Sequence, residues 1–164
     1  MKCLSCGHKM KKKKDEAFHY AFSGLNNIYL VGINIYECEN IECKEEEIVI
    51  PNQEELHSLI AETIAKQERI LLPEEIRFLR VHLGFSGKDF AEKLSVSPET
   101  VSRWEKGSLT MSVTTEKFLR VLILSKAGPF RDYDELEKFA SKQAKSSAKH
   151  FFKVTNSNWM AKAA

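Results

Sequence analysis

The sequence predicts an α+β chain in which a small β-rich module precedes an all-helical domain, and three observations carry that expectation. Apolar residues alternate with period two between residues 18 and 35, then recur at helical spacing from Glu54 onward. Four cysteines fall into two close couples, Cys3 with Cys6 and Cys38 with Cys43. Pro73, Gly84, Pro98, Gly107 and Gly128 punctuate the second half into helix-length pieces.

In the β module, residues 1–51, Phe18, Tyr20 and Phe22 alternate before a turn-prone Ser23-Gly24-Leu25-Asn26-Asn27. Tyr29, Val31, Ile33 and Ile35 alternate after it, so an antiparallel pair should return the chain to its start. A third short strand is expected at Ile48-Val49-Ile50 before Pro51. Residues 52–72 read as a linker helix with Leu56, Leu59, Ile60, Ile64 and Ile70 on one face.

Residues 73–127 should hold four helices. Pro73 suits a first turn, Glu74 and Glu75 complement its positive end, and Gly84 stops it. The others fit residues 86–94, 98–106 and 113–125. Residues 128–164 are expected to be a helical extension, since Tyr133, Leu136, Phe139, Ala140 and Ala144 fall at helical spacing. Beyond them Phe151, Phe152, Trp159 and Met160 could dock on a partner or on the chain's own domain.

Of the 164 residues 43% are apolar, which argues against a disordered chain. No run of eighteen apolar residues occurs, and Met1-Lys2-Cys3-Leu4 lacks an apolar stretch after its lysine; the expectation is a cytoplasmic protein with no membrane span. The net charge of +2 is unevenly placed. Residues 1–72 carry 9 basic and 12 acidic side chains, for −3, and residues 73–164 carry 16 and 11, for +5. The second half is the better partner for a polyanion.

In a reducing compartment, paired cysteines favour a metal over disulfides. Cys3-Leu-Ser-Cys6-Gly7 has the form of a zinc knuckle, in which two thiolates three residues apart reach one tetrahedral ion and Gly7 relieves the turn. Cys38 and Cys43 are more widely spaced, and the strand pair between the couples would bring them together. One structural Zn2+ per chain, held by Cys3, Cys6, Cys38 and Cys43, is therefore expected. His8 stands close enough to replace one cysteine, although its ordinary reading is a surface residue. Four thiolates leave no open position for catalysis, and a redox pair would need a βαβ setting that is absent. Lys9 and Lys11 to Lys14 read as a solvated turn offsetting the thiolate charge, or more sharply as a phosphate contact.

The run from Phe85 to Gly107, Phe-Ser-Gly-Lys-Asp-Phe-Ala-Glu-Lys-Leu-Ser-Val-Ser-Pro-Glu-Thr-Val-Ser-Arg-Trp-Glu-Lys-Gly, resembles the helix-turn-helix of the phage-repressor class, the XRE family. Ala91 is small where two helices must cross. Phe90, Leu94, Val96, Val101 and Trp104 supply a core, and Ser97 can cap the helix that Pro98 begins. In this geometry Pro98, Glu99, Ser102 and Arg103 face base edges of double-stranded DNA, and Lys106 and the backbone near Ser108 meet phosphates. Ser86 and Gly87 open the preceding helix at the DNA side. Gly87 departs from a glutamine that often clamps a phosphate, and Ser95 from a turn glycine.

The cysteine couples, the strands between them, the linking helix and this motif together resemble the MqsA antitoxins, or YgiT-type zinc-finger/helix-turn-helix proteins, over roughly residues 1–126. The resemblance implies a homodimer on a palindromic operator, repression of its own operon, and neutralisation of a small ribonuclease toxin through the zinc module, for which residues 29–35 would offer an edge strand. A zinc-finger regulator with no toxin is the alternative. Glu99 stands where the family carries a DNA-reading asparagine. No catalytic dyad is visible, and an enzyme is not expected.

Overall fold

The computed structural model describes residues 1–13, 17–126, 128, 135–139 and 148–162. The chain opens with β1 (Met10–Lys12), β2 (Phe18–His19), a 3-10 turn over Ala21–Ser23, β3 (Ile28–Val31), β4 (Asn34–Cys38) and β5 (Glu46–Val49). Helices α1 (Gln53–Ala65), α2 (Pro73–His82), α3 (Gly87–Lys93), α4 (Pro98–Glu105) and α5 (Val113–Leu124) follow. A short α6 (Glu135–Lys138) and the hairpin β6 (His150–Thr155) and β7 (Asn158–Lys162) complete it. The architecture is α+β, β-rich first and helical second.

Two sheets form. One has the order β1-β4-β5, all antiparallel; the other has the order β2-β3-β6-β7, in which β6 runs parallel to β3. The alternating stretch at residues 29–35 is thus split between sheets and is not an edge. β3 lies between β2 and β6, and β4 between β1 and β5. The break falls at Gly32, where φ is +83° and a Cβ would come within 2.8 Å of the Val154 carbonyl oxygen. Only glycine fits that crossing.

Three other expectations are corrected. Tyr20 does not continue a strand, because the chain turns at once into Ala21–Ser23 and the ring is buried. The linker helix stops at Ala65, well before residue 72, because the backbone beyond it is held by side chains of α2 and α5. Residues 150–162 are strands, not a helical extension; Phe152, Val154 and Trp159 alternate inward and are buried in the chain's own core. The helix expected around residues 132–149 lies largely outside the described residues.

The C-terminal hairpin is tied down by specific bonds. Asn27 Nδ2 donates to the Ala148 carbonyl (2.8 Å), Asn52 Nδ2 to that of Ser157 (2.6 Å) and Trp159 Nε1 to that of Pro51 (2.8 Å). One apolar core then runs from Ile28 and Leu30 through Leu56 and Ile60 to Leu119, Ile123 and Phe152. The β and helical parts share it, with α1 packed on both α5 and β7.

At the centre of this junction Arg120 is fully buried. Its Nε and Nη2 donate to Glu116 Oε1 (3.1 and 2.6 Å), Nη1 to the carbonyls of Ala65 (3.0 Å) and Gln67, and Nη2 to that of Arg69 (2.5 Å). Glu116 also accepts the Leu71 N–H (3.1 Å). Beside it Arg69 forks onto buried Glu75 (2.6 and 2.8 Å), which takes the Leu72 N–H at 2.8 Å. In the segment from 65 to 72 these four side chains meet four carbonyls, of Ala65, Gln67, Arg69 and Ile70, and the N–H groups of Leu71 and Leu72. Arg120→Ala should cost about 3–5 kcal/mol in denaturant unfolding, because Glu116 and three carbonyls lose their partner inside the core. Arg120→Ala combined with Glu116→Ala should cost less than the sum of the two single changes.

Candidate metal centre and nucleic-acid interface

The two cysteine couples meet because β1 and β4 pair with Met10 opposite Cys38, setting the first turn against the second. In the first turn the Cys3 N–H donates to the His8 carbonyl (2.8 Å) and the Gly7 N–H to that of Cys3 (2.9 Å), with Gly7 at φ +74°. In the second the Cys38 N–H donates to the Glu45 carbonyl (2.9 Å), and Asn40 accepts the Glu42 N–H on its side chain (3.1 Å) and the Cys43 N–H on its carbonyl (3.0 Å). Asn40 closes the longer spacing into a turn.

The four sulfurs lie within 4.8 Å of one another, with Cys3 and Cys43 3.7 Å apart and Cys6 and Cys38 3.4 Å apart. A tetrahedral ion with bonds of about 2.3 Å to sulfur has sulfurs about 3.8 Å apart, so the cluster fits a metal ion of that kind. Without a cation the thiols conflict. Cys6 is drawn down to about 6, first by the backbone N–H of His8, while Cys43 is pushed up to about 12, chiefly by Cys6 beside it. A divalent ion would let all four ionise.

His8 is not one of this group; its Nδ1 lies 3.3 Å from the Cys6 carbonyl oxygen. Of the lysines that follow, Lys11 pairs with Glu37 (3.1 Å) and Lys13 with Glu46 (2.7 Å), which favours the solvated-turn reading for those two. Lys14 lies outside the described residues.

The helical part builds the second site. Ser86, Ser97 and Ser112 accept the N–H of Asp89, Thr100 and Thr115, capping α3, α4 and α5. Phe90, Ala91, Val101 and Trp104 are buried where α3 crosses α4, leaving Pro98, Glu99, Arg103 and Lys106 exposed and Ser102 half-buried. Glu99 and Arg103 are one turn apart on the same face. The Glu99 carboxyl is held below its usual range, first by its own backbone N–H, then by the Ser97 hydroxyl, with a smaller contribution from the Arg103 charge. It stays charged. Ser86 spends its hydroxyl on Asp89 Oδ2 (2.6 Å), and Gly87 has open space where a side chain would go.

A lock absent from the sequence reading fixes the angle between helices. Arg80 on α2 donates through Nε and Nη2 to Glu105 on α4 (2.5 and 3.2 Å) and through Nη1 to the Phe85 carbonyl (2.7 Å). Its only sequence signal was a basic residue on an otherwise apolar helix face. Ser95 sits at φ +54° in the turn between α3 and α4.

Ser95→Gly should raise stability by about 1 kcal/mol, the typical strain of a left-handed non-glycine residue. A denaturant midpoint unchanged or lowered would show that the turn is not strained.

A comparison with family models matches residues 76–122 to the family described as Helix-turn-helix. No curated protein and no solved structure matches the chain. No helix among the described residues is long and apolar enough to cross a membrane. Residues 76–122 are a helix-turn-helix domain of the XRE type, the DNA-binding element of a transcription regulator, joined to a β-rich region whose four cysteines can hold a metal ion.

Proposed function

We propose that the chain is a sequence-specific repressor of the zinc-finger antitoxin type, which binds an inverted-repeat operator as a homodimer and carries one structural Zn2+. The single observation that carries this reading is the capped, exposed start of α4, held at a fixed angle by the Arg80–Glu105 lock. In that docking mode Pro98, Glu99, Ser102 and Arg103 meet base edges, and Ser86, Gly87 and Lys106 lie toward the backbone. Arg103 is the base reader, because its fork matches O6 and N7 of guanine. Glu99, a fixed carboxylate, selects against phosphate and wrong sites. Leu109, Val113 and Phe118 are exposed apolar side chains on and before α5, and a second copy is the partner that would cover them.

A small basic ribonuclease toxin would meet the zinc module at β5. With residues 29–35 enclosed, β5 is an outer strand, and it carries Glu46 and Glu47. The toxin-free regulator is favoured by one observation, that β6 occupies the side of β3 a toxin would have paired with.

The function is tested by selecting operator DNA with the full chain and mapping the footprint. Arg103→Ala should lose roughly 1–3 kcal/mol on the selected site and relax preference at one base position. Lys106→Ala should weaken all sequences alike and lower the salt slope by about 1. Equal effects of both changes on operator and random duplex would reassign the reading residue.

Elemental analysis should find about one zinc per chain. Cys38→Ser should lose it and destabilise the β-rich region, and unchanged zinc content in that variant would remove the four-cysteine site.

A further inference from the structure

The four-stranded sheet has an outward face that neither the metal centre nor the helix-turn-helix uses. Strand register places His19, Tyr29, Phe151 and Lys162 in one row across all four strands, and Val31, Lys153 and Met160 in the next. The opposite face, with Leu30, Phe152, Val154 and Trp159, is buried. The outward rings form a ladder, His19 to Tyr29 at 5.2 Å between centroids and Tyr29 to Phe151 at 5.3 Å. The Lys149 ammonium lies 5.1 Å over the Tyr29 ring.

Charge on this sheet is one-sided. Its strands contain no Asp or Glu, while Lys153 and Lys162 lie on the face and Lys149 beside it. The other sheet is mixed, with Glu37, Glu46 and Glu47 beside Lys11 and Lys12 in its strands. Adjacent aromatic rings bordered by cations, on strands without Asp or Glu, suit a ligand that presents flat bases and a string of phosphates. Bases inside a duplex are stacked on each other and cannot offer their faces, so the ligand chemistry is that of a single strand.

We propose that this face is a platform for single-stranded DNA, on which bases stack against Tyr29 and Phe151 while Lys149, Lys153 and Lys162 meet the phosphates. The choice of DNA rests on the helix-turn-helix reading, which brings the chain to a duplex whose strands separate when transcription begins. The platform itself does not rest on that reading.

The test is fluorescence anisotropy of the full chain with a fluorescein-labelled oligothymidylate of about twelve nucleotides, within the span of one single-strand site. Tyr29→Leu with Phe151→Leu keeps apolar bulk but removes the stacking rings, and should weaken binding about tenfold or more. Lys153→Gln with Lys162→Gln, two exposed changes that leave the core alone, should lower the slope of log affinity against log salt by about 1.4. Arg103→Ala should leave this binding unchanged while impairing the operator, which separates the platform from the duplex site. The proposal is overturned by no binding of the oligothymidylate, by equal binding and salt slope in the lysine variant, or by loss of binding in Arg103→Ala. Tighter binding of an oligouridylate of the same length would overturn the assignment to DNA.

Discussion

The guanidinium of Arg120 spends all five of its N–H donors inside the protein, two on Glu116 and three on carbonyls of the segment that joins α1 to α2. A buried cation on this scale is tolerable only because every donor is met and a carboxylate lies against it. Burial still pulls its pKa down from the usual arginine value, opposed by Glu116. The segment it grips is the only covalent path between the cysteine-bearing region and the helix-turn-helix domain. Holding that path as a non-helical strap folds the chain back, so that α1 packs on α2, α5 and β7 at once.

From that constraint follows the unity of the molecule. A metal turn and a helix-turn-helix could each be imagined as a separable bead, but the described residues pack as one core that includes the far C-terminal hairpin. β6 supplies the neighbour that β3 would otherwise lack, and the Trp159 and Asn52 bonds fasten the hairpin to the start of α1. A chain cut at residue 72 would lose Arg120 from one piece and its carbonyl acceptors from the other. The β-rich region and α4 are therefore joined through one packed core rather than through a flexible tether.

The sheets divide the electrostatic work. Acidic side chains gather around the sheet that carries Cys38 and take part in ion pairs with Lys11 and Lys13, whereas the strands of the sheet completed by the hairpin contain no Asp or Glu. Such a division is invisible in a net charge of +2. It appears only once the register shows which residues share a face.

What the sequence determined by itself was local. Cysteine spacing with Gly7, Ser97 capping α4, Pro73 and Pro98 at first helical turns, and the small Ala91 at the crossing all act within a few residues of where they stand, so their reading needs no partner. The tertiary structure decided what depends on segments far apart in the chain. Period-two alternation placed Tyr29 and Ile35 in strands but could not reveal that Gly32 passes the chain from one sheet to another under the Val154 carbonyl. Helical spacing carried α1 past Ala65 because nothing local announces that Arg120, more than fifty residues on, will take its last carbonyl. Likewise, Phe152 and Trp159 were visibly apolar, yet their burial depends on a parallel pairing with β3 across more than a hundred residues, an arrangement set by packing and loop closure and by no pattern within either strand.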